Sequence, residues 1–410
     1  MAEDLTLPLD EDPDAYLAVH AALDESVSDA LLDSREREVR AAVRSIVAHE
    51  VAPRAAQVDR DHTFAAQGYQ ALAAAGLAGL VFPEALGGTG DTHVAYAAAM
   101  EEIAAGCAAT SLIYMTQTHA AYPILAAGSV QLAEAFIPAL LRGEAYGAMA
   151  ITEPDAGSDV SAITTRATPV PGEEAYLLAG AKTFITTGDR ADVVVCFVTT
   201  DPRAGRRGIT AFVVESDQAG FSTGTPLRKM GMHGSSTAEI FLSDVRVPAS
   251  RRLGEEGAGW DVVMASVGKS RISAAAQGVG IARSAYARTV LALRRIHGPR
   301  LPEDVAFALA QMRGDILRGR LQLLATAREV DAVPHPSPAH IGIMKQSCTD
   351  LGWRVSVAAG GLLGHYGDLA DIGVERCLRD AKVTQIYDGT NEVQRLLIAR
   401  DTERRFAESA

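Results

Sequence analysis

The hydrophobic period of this chain changes twice, and the two changes divide it. From Asp33 to about Tyr146 apolar residues recur at helical spacing, with Val39, Val43, Ile46 and Val47 on one face. Between Tyr146 and Pro248 the period drops to two. Tyr176-Leu177-Leu178, Val193-Val194-Val195-Cys196-Phe197-Val198, Thr210-Ala211-Phe212-Val213-Val214 and Glu239-Ile240-Phe241-Leu242 are short runs rich in β-branched and aromatic residues, punctuated by Gly and Pro. From Gly257 helical spacing returns and holds to the end. Strands gathered between two helical blocks, without strand–helix alternation, disfavour a doubly wound dinucleotide-binding sheet and predict an α+β architecture.

The expected parts are an N-terminal arm (1–32), an N-terminal helical domain (33–145), a middle β domain of barrel or sandwich type (146–256) and a C-terminal helical bundle (257–410). Asp33 and Glu36 form a capping-box signature, and Pro53 stops the helix that follows. The Ala-rich apolar stretches 92–109 and 111–127 predict closely packed helices, not a binding surface. In the last part, helices over 260–296, 305–330, 340–359 and 391–406 suggest a bundle. The arm is assigned no chemistry.

Composition narrows the function. The 410 residues carry a formal net charge of −13, which argues against a nucleic-acid partner, since a phosphate backbone calls for a basic face. No apolar run is long enough to cross a bilayer. The start, Met1-Ala2-Glu3-Asp4, lacks the basic region of a signal or transit peptide. Cys107, Cys196, Cys348 and Cys377 are scattered, without a CxxC pair, as in a protein of the reducing cytosol; a cytoplasmic location is expected. No metal site is expected either. Gly268-Lys269-Ser270 lacks the upstream Gly of a P-loop, where Val263 stands, and Gly278-Val279-Gly280 is followed by Arg283 in place of a third Gly.

The chemistry concentrates in loops. Tyr387-Asp388-Gly389-Thr390-Asn391 joins a charged run to an amphipathic helix. By itself, Asp388 reads as a helix cap, although a helix N-terminus is also an anion site. Ile151-Thr152-Glu153-Pro154-Asp155-Ala156-Gly157-Ser158-Asp159 supplies hydroxyls and small residues at the entrance to the β domain, and reads equally as a connecting loop. In Lys182-Thr183-Phe184-Ile185-Thr186-Thr187-Gly188 an aromatic face can pack on a flat ring and a Thr hydroxyl can bond its heteroatoms, though an ordinary hairpin fits too. Met230-Gly231-Met232-His233-Gly234-Ser235-Ser236-Thr237 is a third such loop.

Taken in order, Phe82-Pro83-Glu84 with Gly87-Gly88, Thr152-Glu153-Pro154 with Gly157-Ser158-Asp159, Phe184-Ile185-Thr186, Gly234-Ser235-Ser236-Thr237, and Arg379-Asp380-Ala381-Lys382 with Tyr387-Asp388-Gly389-Thr390 resemble the acyl-CoA dehydrogenase family of flavoproteins. The resemblance covers roughly residues 33–400. It implies an all-α domain, a middle β-barrel and a C-terminal four-helix bundle. It also implies non-covalent FAD, a homotetramer built as a dimer of dimers, and α,β-dehydrogenation of an acyl-CoA thioester, with an electron-transfer flavoprotein taking the electrons. By the same resemblance Met149, Ile151 and Thr152 line the flavin, and Ser158 lies near both the flavin phosphate and the CoA arm. Phe184, Ile185 and Thr186 flank the isoalloxazine. Arg271 helps hold CoA, Arg294 reaches a neighbouring subunit's FAD, and Gly360, Gly361, Thr390 and Glu392 belong to FAD-binding turns. Asp388 stands at the position of the base that takes the α-proton, the Gly389 N–H holds the thioester carbonyl, and flavin N5 accepts the β-hydride. Tyr114, Met115, Gln117 and Tyr122 border the acyl cavity.

The chain also departs from the family pattern. Asp388 replaces the usual Glu and reaches one methylene less far. That is compatible with an α-proton base on a short, branched or cyclic acyl group, with weak activity, or with variant chemistry such as that of the nitroalkane oxidase branch. Ser270 offers no carboxylate at the base position of the branched- and long-chain members. His297 stands in place of a Phe, a Gln near Glu303 is absent, and Val357 or Ser356 replaces the Gln before Gly360-Gly361. The competing readings are a flavin oxidase or monooxygenase on the same scaffold, a dehydrogenase of a carrier-protein-bound acyl group, and a non-catalytic paralogue.

Overall fold

The computed structural model describes residues 7–409. The N-terminal helices are α1 (Pro13–Ala22), α2 (Ser26–Asp29), α3 (Ser34–Ile46), α4 (Ala52–Asp61), α5 (Ala66–Ala74), α6 (His93–Gly106), α7 (Ala108–Ala127) and α8 (Val130–Leu141). The capping box forms as expected: the Asp33 carboxylate accepts from the Glu36 N–H, and Glu36 accepts from the Asp33 N–H. Helices α6 and α7 are buried along almost their whole length, and their many alanines permit the close approach.

The arm is part of the core. Leu7, Leu9 and Tyr16 are buried. Arg288 donates to Asp10 at 2.8 Å and to the Ile372 carbonyl at 3.1 Å. Arg44 bridges Asp24 and Glu102, each at 2.7 Å. Burying so many charges is tolerable only because each has an opposite partner.

The middle domain is one eight-stranded sheet: β1 (Gly147–Ala150), β2 (Arg166–Pro169), β3 (Ala175–Thr186), β4 (Val193–Thr199), β5 (Ile209–Glu215), β6 (Phe221–Thr223), β7 (Thr237–Pro248) and β8 (Arg252–Leu253). Its pairing path runs β6-β7-β3-β2-β4-β5-β8, with β1 added parallel to β4. The β4–β5 pair is buried on both faces, the Val195↔Val213 pair on one and the Cys196↔Phe212 pair on the other. Strand β3 pairs with β7 and slips register between Lys182 and Ile185, where Phe184 stands.

The C-terminal part comprises α9 (Gly259–His297), α10 (Glu303–Ala332), α11 (Pro338–Leu363), α12 (Val374–Thr384) and α13 (Asn391–Ser409). The four expected long helices are present, and α12 is an additional one. It buries Val374, Cys377 and Ala381 against α9 and α11, and Arg376 and Asp380 are buried with them. The Gly278-Val279-Gly280 motif serves packing: a Cβ on Gly278 would lie 2.2 Å from the Cys348 carbonyl oxygen of α11. No described helix is long and apolar enough to cross a membrane.

Candidate active site

Asp388 lies in the turn between α12 and α13, with φ of +55°, followed by Gly389 with φ of +85°. Two consecutive residues in the left-handed region need outside support, because such a backbone costs a non-Gly residue about 1–2 kcal/mol. Two buried cations supply it. Arg271 on α9 donates through Nε to the Asp388 carbonyl at 3.2 Å, and Lys345 on α11 donates through Nζ to the Gly389 carbonyl at 3.0 Å. Gln394 adds a bond to the Gly389 carbonyl at 2.9 Å. Asp388 does not cap α13; Thr390 does, accepting from the Val393 N–H at 3.3 Å. Among the described residues neither Asp388 nor Gly389 gives its N–H to a protein acceptor.

The Asp388 side chain is enclosed, and its Oδ2 has no hydrogen-bond partner. Beside it, His119 on α7 places Nδ1 4.0 Å from Asp388 Oδ1. Burial pushes the His119 pKa down, opposed by the Asp388 charge. Burial likewise lowers Lys345, to about 8, against the pull of Asp388. Tyr387 donates its hydroxyl to Gln277, whose amide in turn donates to Ser111 at 2.9 Å. Ser270 turns its hydroxyl to the Val267 carbonyl at 3.0 Å.

The residues expected at the acyl cavity are buried but mostly committed. Tyr114 donates to the Leu77 carbonyl at 2.6 Å, Tyr122 pairs with His93 at 2.8 Å, and Gln117 accepts the Gly147 N–H at 2.7 Å. Arg271, expected to help hold CoA, is itself buried with its Nε on Asp388.

A second platform lies on the sheet. Phe184 is 66% exposed, with φ of +55° at the register slip, so a large aromatic face stands open on a strained backbone. Thr186 beside it is partly exposed, whereas the Ile185 side chain turns into the sheet core, leaving only its backbone for a ligand. Thr152 and Ile151 are tied to this strand: the Thr152 carbonyl accepts the Thr183 N–H at 2.9 Å, and Lys182 donates to the Ile151 carbonyl at 3.0 Å. The 151–158 loop is anchored by Glu153, which accepts from Lys182 Nζ at 2.8 Å and from the N–H groups of Thr164 and Thr165. Burial works against its charge, but Lys182 and these donors hold its pKa down at about 2. Met149 is half-buried at the end of β1, and Ser158 is exposed. An open aromatic plane flanked by hydroxyls fits a flat heteroaromatic ring such as a flavin.

The remaining expected residues are not brought to this centre. Arg294 is exposed near the end of α9. Gly360 and Gly361 lie near the end of α11, with open space where a Cβ would stand. Glu392 is exposed on α13. His119 was not among the expected residues. Its signal was the one ionisable imidazole in an uncharged helix, one turn from both Met115 and Tyr122.

Three family models match along the chain: the acyl-CoA dehydrogenase N-terminal domain over residues 33–144, the middle domain over 148–245 and the C-terminal domain over 257–402. An acyl-CoA dehydrogenase of Bacillus subtilis (strain 168) is 37% identical over 367 residues, 88% of this chain and 96% of that one. A cyclohex-1-ene-1-carbonyl-CoA dehydrogenase of Geobacter metallireducens is 36% identical over 364 residues, 87% of this chain and 95% of that one. The structure of butyryl-CoA dehydrogenase from Megasphaera elsdenii superposes with a TM-score of 0.86 at 32% identity, covering 90% of this chain and 98% of that one.

Proposed function

The chain belongs to the acyl-CoA dehydrogenase family of oxidoreductases, and on that premise we propose that it carries out FAD-dependent α,β-dehydrogenation of an acyl-CoA thioester with a short, branched or cyclic acyl group, Asp388 taking the α-proton. The observation that carries this reading is the enclosed Asp388 carboxylate, with one oxygen unpartnered, on a turn held in a strained conformation by Arg271 and Lys345. A buried polar atom without a partner is costly, and a base that must meet a substrate proton is one reason to keep it.

Phe184, Thr186, Thr152 and the backbone of Ile185 would hold the flavin ring, with Met149 and Ile151 at its edge and Ser158 toward its phosphates. FAD, when bound, supplies the acceptor for the β-hydride. The protein's part is positional and electrostatic. The free N–H groups of the Asp388–Gly389 turn face no protein acceptor and suit a thioester carbonyl that gains charge as the α-proton leaves. Arg271 and Lys345 keep that turn in register. The buried surroundings exclude water, which strengthens each of these interactions.

A homotetramer, a dimer of dimers, fits the exposed apolar side chains Phe307 on α10 and Leu396 and Phe406 on α13. In such an assembly Arg294, Gly360, Gly361, Thr390 and Glu392 would serve FAD sites at or across an interface. An electron-transfer flavoprotein is the proposed oxidant of the reduced enzyme, and the cytoplasm the proposed location.

The test is an anaerobic titration of the purified yellow protein with a panel of acyl-CoAs, following flavin absorption. Bleaching by a thioester, slowed about 10²- to 10⁴-fold in Asp388→Asn, supports the proposal. A flavin that no thioester bleaches, or a variant that bleaches as fast as the parent, refutes it.

A further inference from the structure

On the α7 side of Asp388, among the described residues, His119 carries a buried polar atom that the proposed reaction does not use. The hydroxyls of Tyr114 and Tyr122 and the amide of Gln117 are all bonded within the protein. Tyr96 shares a 2.9 Å bond with Ser273. His119 is the exception. Its side chain is 6% exposed, and its buried Nε2 has no partner. Leaving such a nitrogen unmatched costs about 1–3 kcal/mol, so an imidazole here needs a reason that Leu or Met would not.

We propose that His119 recognises a hydrogen-bond donor, a hydroxyl or an N–H, carried on the γ or δ carbon of the acyl group. The proposal rests on the dehydrogenase reading above and names the class of acyl group that the enzyme takes. The tautomer follows from the neighbours. Burial keeps the ring neutral, so it carries one proton. The Asp388 oxygen 4.0 Å from Nδ1 favours that proton on Nδ1. Nε2 is then a lone-pair acceptor, which a hydroxyl or N–H satisfies and a hydrocarbon chain does not. Position follows from the same pair. The α-carbon must meet Asp388, and the imidazole flanks that carboxylate. A substituent two or three bonds further along the chain can therefore reach the far ring nitrogen.

The experiment uses the flavin-loaded enzyme and two matched pairs: butyryl-CoA with 4-hydroxybutyryl-CoA, and valeryl-CoA with 5-hydroxyvaleryl-CoA. Binding is read by calorimetry and reduction by anaerobic flavin bleaching, for the parent, His119→Leu and His119→Gln. The expected parent prefers the hydroxylated member of at least one pair about tenfold or more in both readouts, since a site built to hydrogen-bond a substrate group rejects the analogue without it. His119→Leu should reverse that preference, and His119→Gln, which keeps an acceptor, should restore part of it. A parent that prefers the plain chain in both pairs, or a Leu variant with the parent's ratio, overturns the proposal. If His119→Leu does not fold, the parent ratio and the Gln variant decide. Thioesters that bind with the expected ratio but never bleach the flavin would sink the dehydrogenase reading while leaving the role of His119 standing.

Discussion

Arg271 donates through Nε to the main-chain carbonyl of Asp388 at 3.2 Å, so a cation on the long helix α9 fixes the backbone of the proposed base. Lys345 does the same for the next carbonyl from α11. A turn with two successive positive φ values keeps its shape only while those donors remain. Arg271→Gln should lower kcat about 100-fold, the scale expected when a reacting group is displaced by about 1 Å. Thermal stability should change much less. Steady-state kinetics beside a melting curve check this, and an unchanged kcat would remove Arg271 from any positioning role.

Glu153 and Lys182 form a buried ion pair that ties the 151–158 loop to strand β3. Removing one partner strands the other charge in the interior, which costs about 3–5 kcal/mol. Glu153→Gln and Lys182→Met should each lower the melting temperature and the flavin-to-protein ratio together, because Thr152 and Phe184 sit at the two ends of this tie. The double variant should be less destabilised than the sum. The pH dependence has a definite sign. The Glu153 pKa is lowered from 4.5 to about 2, so its stabilisation is present above pH 4.5 and is lost as the pH falls toward 2. A Glu153→Gln variant should lack that part of the acid transition.

Periodicity revealed the order of the three bodies because a sheet and a helix bury their apolar residues at different intervals. It missed α12, where charged residues dominate the eye and the buried face mixes Val374, Cys377 and Ala381 with Arg376, Asp380 and Thr384. The Asp388 and Phe184 loops were legible as motifs. Their positive φ values were not, since only Gly advertises that conformation in a sequence. His119 was hidden for another reason. An all-buried helix has no polar face to give its orientation, so which of its residues meets Asp388 depends on how α7 packs against the α12–α13 turn. That the arm packs into the core was not legible either, because Asp10 and Asp24 look like surface acids until Arg288, Arg44 and Arg283 are brought beside them.

Asp10 provides the next test. Arg288 is 2% exposed and depends on Asp10 for its charge balance. Asp10→Asn leaves a buried guanidinium short of a counter-charge and should destabilise the protein by about 3 kcal/mol. Chemical denaturation measures this. A variant as stable as the parent would mean that the Asp10–Arg288 pair adds nothing to the hold of the arm on the core.

Asp380 on α12 gives the last prediction, and its sign is opposite to that of Glu153. Its carboxylate accepts the Met232 N–H, which joins α12 to the 230–237 loop. Burial raises its pKa from 3.8 to about 6, more than that bond and the nearby arginines lower it. A group whose pKa is raised by folding contributes stability that is fully present below its unfolded pKa and is lost as the pH rises through the folded value. The contribution of Asp380 should therefore fall between about pH 3.8 and pH 6. Asp380→Asn keeps an acceptor for Met232 but cannot ionise, so its melting temperature should not carry that decline. Melting curves of parent and variant across pH 4 to 7 separate the two cases. Parallel profiles would mean that Asp380 keeps one protonation state throughout, and that the junction between α12 and the loop is insensitive to acid.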